Sequence, residues 1–330
     1  MPRKQLLFLS AAEVRRALPM REAIEVMKAA FTALSAGEAV VPLRSHVEVP
    51  EHKGVLLLMP CYMHSANALS LKAITVFDGN LARGWPRIQA LVMLFDGATG
   101  QPLAAMDGAA VTALRTGAAS GAATDLLARP ESTTVAILGA GVQARTQLEA
   151  MCAVRPIRSA RVFDTMAGGA DSYAREMSTA LRIDVQTAVS AREAVRDADI
   201  ICAASSSRTP VFTDADLKPG VHINAIGSYQ PAVQEIPTET VVRARVVVDH
   251  RESALAETGD LLIPIQQGLY SADRIAAELG ELVSKAKPGR ADVNEITLFK
   301  SVGLAVQDLA AGVRAIENAR ALGIGTVVAL

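Results

Sequence analysis

The chain has 330 residues, of which half are hydrophobic and 20% are charged, and its formal net charge is −1. This length exceeds what one small core needs, so we expect two domains. The nearly balanced charge provides no long-range attraction to nucleic acid or to an anionic membrane. No apolar run approaches the roughly 20 residues of a membrane span, and the N-terminal segment has too few apolar residues for a signal peptide. We therefore expect a soluble protein with neither a nucleic-acid nor a membrane partner.

The cysteines indicate a reducing compartment. Cys61, Cys152 and Cys202 are odd in number, far apart and set in apolar stretches, as expected of reduced thiols in the cytoplasm. Neither the cysteines nor the histidines have the spacing of metal ligands. We therefore predict a cytoplasmic protein with no metal site.

Two helices are predicted at the start of the chain. Ser10 and Glu13 have the spacing of a capping box, which predicts a helix starting at Ala11. A second helix begins at Pro19 and ends at Gly37. Its apolar stripe has helical spacing and consists of Met20, Ile24, Met27, Phe31 and Leu34.

Period-two alternation then replaces the helical pattern and predicts a mostly antiparallel sheet. The predicted strands are residues 44–49, 55–59, 69–77, 88–95 and 102–106, with a hairpin turn at 96–100. A long helix follows at Ala109–Ala128. Its many alanines and glycines, including Gly117 and Gly121, indicate that another backbone packs closely against it.

The segment from Thr134 to Asp164 carries the most informative pattern. A short apolar strand precedes G-A-G-V-Q-A at residues 139–144, a form of the G-x-G-x-x-G/A fingerprint, and a helix follows. Gly139 allows the tight turn, Gly141 lets the backbone approach a pyrophosphate, and Ala144 keeps the helix close to the sheet. Asp164 ends the next strand, about 20 residues further on, where a carboxylate accepts hydrogen bonds from both ribose hydroxyls of NAD. The alternative is an α/β domain that binds no nucleotide.

This context predicts NAD as the cofactor, with NADP not excluded. Arg145, one turn into the helix, is expected to reach a diphosphate oxygen. Ser205 and Ser206 are expected to pass near a ribose of the cofactor, although a plain turn explains them nearly as well. The candidate cofactor-binding residues are Gly139, Gly141, Val142, Gln143, Ala144, Arg145, Asp164, Ser205, Ser206, Ile226, Gly227, Ser228 and Thr116.

An alternation of strands and helices runs from residue 133 to about residue 294. Its strands are predicted at residues 133–138, 159–163, 183–187, 199–204, 221–226 and 245–249. Residues 297–320 then predict a helix with a face of small residues. We therefore predict the α/β class, with a Rossmann dinucleotide-binding domain at residues 129–296 inserted in an α+β domain formed by residues 1–128 and 297–330.

Three cations are difficult to explain as surface residues. Arg44 opens a strand, Lys72 points away from its apolar neighbours across another strand, and Arg115 precedes Thr116 in the helix of small residues. An unpaired buried charge costs several kcal/mol. Arg and Lys side chains aimed at one cavity suggest a ligand with a carboxylate. Three separate ion pairs with acids of the protein are the alternative.

Seven segments, in order along nearly the whole chain, carry a family resemblance. They are residues 42–44 (P-L-R), 71–73 (L-K-A), 88–100 (I-Q-A-L-V-M-L-F-D-G-A-T-G), 112–118 (T-A-L-R-T-G-A), 139–145 (G-A-G-V-Q-A-R), 222–227 (H-I-N-A-I-G) and 299–308 (F-K-S-V-G-L-A-V-Q-D). Together they resemble the ornithine cyclodeaminase/μ-crystallin family.

The resemblance implies a homodimer built through the antiparallel domain, which also binds the substrate, with a Rossmann domain on the outside of each subunit. It implies that a small amino or imino acid binds between the domains, with its carboxylate held by Arg44, Lys72 and Arg115. Asp308 is expected to face the active site. Members of the family move a hydride between the nicotinamide and the α-carbon of an amino acid or its imine.

One departure from the family pattern decides which reaction we favour. The cyclodeaminases and alanine dehydrogenases of the family carry an aspartate shortly after the segment that ends here at Gly227. Ser228 and Tyr229 stand in this region instead, and the next carboxylate is Glu235. Oxidation of an ammonium substrate without that base loses roughly 10²–10⁴-fold in rate, whereas reduction of a protonated C=N bond needs no such base.

We therefore predict an NAD(P)H-dependent oxidoreductase of proline metabolism that reduces cyclic imino acids, Δ1-pyrroline-2-carboxylate to proline or Δ1-piperideine-2-carboxylate to pipecolate. Ornithine cyclodeaminase and alanine dehydrogenase are the alternatives, and a nucleotide-binding protein with little catalysis is a second. For Lys72 we favour carboxylate binding over a proton relay. Tyr229 and Ser228 either supply a proton or orient the substrate, or they are loop residues with no chemical role. The candidate catalytic residues are Lys72, Arg44, Arg115, Thr116, Tyr229 and Asp308.

Overall fold

The structure is a computed structural model that describes residues 5–329. The strands are β1 (Gln5–Leu9), β2 (Ala39–Val40), β3 (Ser45–Val49), β4 (Gly54–Met63), β5 (Ala68–Phe77), β6 (Ile88–Asp96), β7 (Pro102–Asp107), β8 (Thr134–Leu138), β9 (Ser159–Phe163), β10 (Asp184–Thr187), β11 (Ile200–Ala203), β12 (His222–Ala225), β13 (Arg245–Val248), β14 (Ala277–Glu278), β15 (Thr297–Lys300) and β16 (Thr326–Ala329). The α-helices are α1 (Ala11–Ala17), α2 (Met20–Ser35), α3 (Gly108–Leu127), α4 (Val142–Val154), α5 (Gly169–Leu181), α6 (Ala191–Val195), α7 (Thr238–Arg243), α8 (Arg251–Glu257), α9 (Gly259–Gln266), α10 (Leu279–Val283) and α11 (Ala305–Leu322). Among the residues described, none of these helices has the length and apolar character needed to cross a membrane.

The chain divides into two compact units, Met1–Arg115 together with Leu304–Leu330, and Thr116–Gly303. The first unit contains an eight-stranded sheet in the order β16-β1-β7-β6-β5-β4-β2, with β3 paired to β4. The pairing of β1 with β7 is parallel, and the other strand pairs are antiparallel. The predicted antiparallel sheet is therefore confirmed.

One face of this sheet is covered by α11, which packs on β4, β5 and β6. Side chains alternate across a strand, so Met59, Lys72 and Val92, which are aligned on neighbouring strands, all point to the covered face. The predicted stripe of α2 is buried along its whole length, and α2 packs on α11. These contacts place Lys72 under the first turn of α11.

The second unit is a doubly wound domain around a parallel sheet in the order β10-β9-β8-β11-β12-β15-β13-β14. The predicted α/β class is confirmed. The strand order changes direction between β8 and β11. In such sheets a dinucleotide binds at the carboxyl ends of the strands beside this switch point, so the loops after β8, β9, β11 and β12 are the ones that concern function.

The prediction of a helix over residues 297–320 is wrong in its first part. Residues 297–300 form β15, which lies between β12 and β13 in the sheet, and α11 begins only at Ala305. A short apolar run is ambiguous between helix and strand, and here pairing with two distant strands decides. Residues 5–9, for which no element was predicted, form β1.

The division between the units falls inside α3 and after β15, whereas the sequence placed it at residues 128–129 and 296–297. The second half of α3 packs within the second unit. A Cβ atom at Gly117 would lie 2.5 Å from the carbonyl oxygen of Thr146, and the Thr124 hydroxyl lies 3.2 Å from the sulfur of Met151. This is the close backbone approach that the small residues of α3 indicated.

Candidate functional site

The glycine turn after β8 has the geometry of a phosphate-binding loop. Gly139 has a φ of 95°, and a Cβ there would lie 2.7 Å from the carbonyl oxygen of Ala204, so only glycine fits without strain. Gly141 caps the N-terminus of α4 with a φ of −77°, and a Cβ added to it would meet nothing within 4 Å. The start of a 13-residue helix therefore faces open space, which fits a pyrophosphate.

Asp164 lies beside this turn. One carboxylate oxygen accepts a 2.6 Å hydrogen bond from the Ala140 N–H, and the other accepts a 2.7 Å bond from the Met166 N–H. The acid is therefore fixed at the carboxyl end of β9, next to the loop that follows β8. The fingerprint requires a carboxylate in this place for the ribose of NAD.

The first residues of α4 divide between the surface and the core. Val142 is 60% exposed, whereas Ala144 is buried and its carbonyl accepts a hydrogen bond from the hydroxyl of Tyr173. Gln143 is half-buried, and its side-chain Oε1 is buried without a hydrogen-bond partner among residues 5–329. These positions leave Val142 exposed beside the turn and place Ala144 against the sheet.

Arg145 supports the turn from behind. Its guanidinium makes a 2.7 Å ion pair with Glu176 and donates hydrogen bonds to the carbonyl oxygens of Ala140 and Gly141. Most of its donors are thus bound to protein acceptors. The structure therefore places it where it holds the turn in shape.

The loops that follow β11 and β12 meet at a buried carboxylate that sequence reasoning did not assign to the site. Glu235 accepts hydrogen bonds from both the N–H and the hydroxyl of Ser205, and from the N–H of Gly227. Burial raises the pKa of Glu235 to about 7, and the nearby negative charge of Asp260 also raises it. Since its oxygens are bound by these donors and it is 0% exposed, Glu235 is not available as a base for a substrate.

The remaining loop candidates differ in how much of each side chain is accessible. Ser206 is exposed, Ile226 is partly exposed, and Tyr229 is 36% exposed. Ser228 is fully buried, and its hydroxyl donates a 2.5 Å hydrogen bond to the carbonyl of Val233. The side chain of Ser228 therefore serves the loop itself, whereas that of Tyr229 reaches the surface.

In the first unit, the structure brings together a group of residues that we call the cation cluster: Arg44, Lys72, Arg115, Gln307 and Asp308. Lys72 Nζ makes a 2.8 Å ion pair with Asp308 Oδ2, and Arg115 Nε lies 3.3 Å from Asp308 Oδ1. Lys72 and Asp308 are 1% exposed and Arg115 is 6% exposed. Two buried cations thus share one carboxylate, which differs from the alternative in which each has its own acid.

Burial is the main influence on the pKa of Lys72. Burial, followed by the charges of Arg115 and Arg44, lowers the pKa of Lys72 from 10.5 to about 8, against the opposing effect of Asp308. The charge of Arg44, which is partly buried, therefore acts on the same lysine. Lys72 remains protonated at neutral pH.

Gln307 was missed as a site residue, although it lies within the family segment at residues 299–308. Its Oε1 accepts hydrogen bonds from Arg115 Nη1 and from the Leu304 N–H, while its buried Nε2 has no hydrogen-bond partner among residues 5–329. A buried donor without an acceptor is costly. The cluster therefore offers a further donor to a ligand.

Thr116, which follows Arg115 in α3, is 7% exposed, and its carbonyl accepts a hydrogen bond from Gln147. No group of three or more histidine, cysteine, aspartate or glutamate side chains in residues 5–329 could hold a metal ion.

Comparison with known proteins identifies the family of the chain. The sequence model of the ornithine cyclodeaminase/mu-crystallin family matches residues 4–322. The Δ1-pyrroline-2-carboxylate reductase of Bacillus thuringiensis subsp. konkukian is 39% identical over 324 residues, which cover 98% of this chain and 99% of that protein.

Two solved structures are also similar. The Δ1-pyrroline-2-carboxylate reductase of Thermococcus litoralis, in complex with NADH and L-proline, is 44% identical with a TM-score of 0.94, covering 97% of this chain and 99% of that one. An archaeal alanine dehydrogenase dimer with bound NAD is 33% identical with a TM-score of 0.91, covering 98% and 99%. The chain therefore belongs to the ornithine cyclodeaminase/mu-crystallin family, as its seven segments indicated.

Proposed function

We propose that the chain is an NADH-dependent reductase of cyclic imino acids in proline metabolism, which converts Δ1-pyrroline-2-carboxylate to proline. The six-membered Δ1-piperideine-2-carboxylate is the second substrate of the same class. The observation that carries the proposal is the buried pair of cations that shares one carboxylate. Identity of 39% to a named Δ1-pyrroline-2-carboxylate reductase over nearly the whole chain supports the choice of substrate.

The cation cluster is suited to the carboxylate of the substrate. Lys72 and Arg115 carry two positive charges, and Asp308 supplies one negative charge. One buried positive charge therefore remains, and such a charge costs several kcal/mol unless an anion joins it. Gln307 Nε2, which has no hydrogen-bond partner within the described residues 5–329, adds a neutral donor. A small carboxylate would neutralise the remaining positive charge and accept a hydrogen bond from Gln307.

The second unit is suited to the dinucleotide. The N-terminus of α4 behind Gly141 would hold the pyrophosphate, and Asp164 would hold the adenosine ribose and disfavour the 2′-phosphate of NADPH. The loops that carry Ser205 and Gly227 would line the rest of the cofactor. When bound, NADH supplies the hydride that reduces the C=N carbon.

The protein has little proton chemistry to perform in this reaction. A protonated imine accepts a hydride at carbon and keeps its proton on nitrogen, so the product amine forms without a general base. The role of Lys72, protonated at neutral pH, is to hold the carboxylate and thereby orient the C=N bond. Arg115 adds a planar guanidinium suited to the same anion.

The loop after β12 argues against the two alternative reactions. Ornithine cyclisation and alanine oxidation both begin with an ammonium group that must lose a proton. Ser228 is buried with its hydroxyl bound to a carbonyl, and the carboxylate of Glu235 is bound by three donors. Neither side chain is therefore free to take that proton.

Three assays on the purified protein distinguish these reactions. NADH with Δ1-pyrroline-2-carboxylate is expected to lose the absorbance of the reduced cofactor and to yield proline. NAD with L-ornithine is expected to release no ammonia, and NADH with pyruvate and ammonia is expected to react much more slowly than with the cyclic imine. Ammonia release from ornithine, or NADH binding without turnover of any imine, contradicts the proposal.

We propose that the protein is a homodimer whose subunits pack through the open face of the antiparallel sheet. This face, opposite to α11, carries the apolar side chains Leu69 and Leu91, each 37% exposed, and the partly exposed Leu71 and Met93. An apolar patch of this kind marks an interface, and the similar archaeal alanine dehydrogenase is described as a dimer. Light scattering is expected to give twice the 34.6 kDa mass of the chain.

A cytoplasmic location completes the proposal. Cys61, Cys152 and Cys202 are unbridged in the structure, which suits a reducing compartment. Cell fractionation is expected to recover the protein with cytoplasmic markers, and recovery with secreted proteins would refute this location.

A further inference from the structure

Buried carboxylates hold the functional loops of the parallel sheet, and Glu235 is the one that joins two of them. Its Oε1 accepts hydrogen bonds of 2.8 Å from the Ser205 N–H and 2.6 Å from the Ser205 hydroxyl. Its Oε2 accepts a 2.9 Å bond from the Gly227 N–H. One side chain therefore ties the loop after β11 to the loop after β12.

The position of this carboxylate is fixed from both sides. On one side, a Cβ atom at Gly227 would collide with Oε2, so the loop after β12 closes directly on the carboxylate. On the other side, the backbone N–H groups of Glu235 and Ile236 donate to Oδ1 of the buried Asp260. Asp260 in turn makes a 2.8 Å ion pair with the buried Lys300. The carboxylate is thus held rigidly within the second unit.

We propose that Glu235 is a positioning residue for NADH, acting through the loops of Ser205 and Gly227, and that it does so only as the carboxylate anion. These loops follow neighbouring strands beside the switch point of the sheet, where a doubly wound fold binds its dinucleotide. The inference rests on the proposed function, because it takes NADH to be the ligand of these loops.

The requirement for the anion follows from hydrogen-bond chemistry. An ionised carboxylate is an acceptor only and satisfies all three donors, whereas a protonated one carries a donor of its own. If Oε2 is protonated, it meets the Gly227 N–H donor to donor. If Oε1 is protonated, it meets the Ser205 N–H in the same way. The neutral acid accepts fewer and weaker hydrogen bonds than the anion, so protonation weakens the connection between the two loops.

The charged and polar groups around Glu235 place this protonation near neutral pH. Burial and the charge of Asp260 raise the pKa, while the hydrogen bonds from Ser205 and the charge of Lys300 lower it, and the result is about 7. The anion is therefore lost as the pH falls through about 7. If only the anionic form binds NADH, the apparent Kd equals the Kd of the anion divided by the fraction of the protein that is ionised at Glu235. One pH unit below the pKa, the Kd is therefore raised by roughly tenfold.

The test is the Kd of NADH, measured by fluorescence titration of the full-length protein across the range around neutral pH. In the wild type the Kd is expected to increase as the pH falls, with a midpoint near 7. Ser205→Ala removes one hydrogen bond to the anion and is expected to move the midpoint upward. Glu235→Gln has the same shape but carries no charge and does not titrate, so it is expected to bind NADH more weakly than the wild type does above pH 7, with a Kd that does not change with pH.

Glu239→Gln, an exposed residue of α7, is the matched control and is expected to keep the wild-type profile. A wild-type Kd that does not change with pH, or a profile that Glu235→Gln leaves unaltered, overturns the inference while the proposed function stands. If the wild-type protein does not bind NADH at any pH, both the inference and the proposed function are overturned. Should Glu235→Gln not fold, the wild-type and Ser205→Ala profiles decide the question.

Discussion

Replacing Lys72 by methionine distinguishes a ligand-binding cation from a structural ion pair. Methionine keeps most of the buried hydrocarbon of lysine and removes the charge. Lys72 lies 2.8 Å from Asp308, and both are 1% exposed. If the role of Lys72 were to neutralise Asp308, its loss would leave an uncompensated buried charge and cost about 3–5 kcal/mol of stability.

We expect a much smaller change, because Asp308 keeps Arg115 as its partner at 3.3 Å. The lowering of the Lys72 pKa from 10.5 to about 8 corresponds to roughly 3 kcal/mol against the charged form in the folded protein. Since the pKa is lower in the folded state than in the unfolded state, this penalty is fully present below pH 8 and disappears as the pH rises toward 10.5. This penalty is a net effect that already includes the attraction of Asp308, so we expect Lys72→Met to lose about 1 kcal/mol of stability or less at neutral pH.

The effect on catalysis is expected to be large. A hydrogen bond to a charged group contributes about 1.5–3 kcal/mol, which corresponds to a loss of roughly 10- to 100-fold in kcat/KM for Δ1-pyrroline-2-carboxylate. The Kd of NADH is expected to stay unchanged. Urea unfolding and initial rates of NADH oxidation measure the two effects, with the exposed Lys287→Met as control. A loss of more than about 3 kcal/mol in stability together with normal kcat/KM would refute the substrate-binding role.

Three further predictions concern the two sites. Arg115→Ala is expected to raise the KM for the imine by roughly 10- to 100-fold with little change in NADH affinity, and an equal loss of NADH binding would remove Arg115 from the carboxylate role. Asp164→Ala is expected to relax the preference for NADH over NADPH in steady-state assays; an unchanged preference would show that the acid does not lie at the ribose. Gly141→Ala is expected to weaken NADH binding at nearly unchanged stability. Gly139→Ala is expected to lower both NADH affinity and stability, because Gly139 has a positive φ and a Cβ there would collide with the carbonyl oxygen of Ala204. Equal melting temperatures for the two variants would contradict this distinction.

Local patterns were sufficient to predict much of the fold. The capping box at Ser10, the stripe of α2 and the period-two strands around Lys72 each depend on neighbouring residues, and the structure confirms them. The same holds for the glycine turn, whose place between a strand and a helix was predicted from the local pattern. These elements required no knowledge of distant contacts.

The errors arose where distant contacts decide the structure. Residues 297–300 read as the start of a helix, but their place between β12 and β13 makes them a strand. The predicted domain bounds stay a prediction, and in α3 contacts such as the approach of Gly117 to Thr146 join the second half of the helix to the second unit. A single sequence can indicate that a helix packs closely against another backbone, but it does not show which segment is the partner or which strands pair.

The site residues show the same distinction. Lys72 and Arg115 were recognisable because a cation among apolar or small residues is conspicuous. Gln307 and Glu235 were not recognised, since a glutamine at the start of a helix and a glutamate in a loop look like surface residues. Only the structure shows that both are fully buried, that Gln307 accepts a hydrogen bond from Arg115, and that Glu235 accepts one from the loop of Ser205.

The most direct test of the account compares Δ1-pyrroline-2-carboxylate with Δ1-pyrroline, which has the same C=N bond but no carboxylate. The two buried cations, at about 1.5–3 kcal/mol each, predict a kcat/KM lower by roughly 10²–10⁴-fold for Δ1-pyrroline with NADH. They also predict that this difference shrinks in Lys72→Met. Equal kcat/KM values for the two imines would contradict the account.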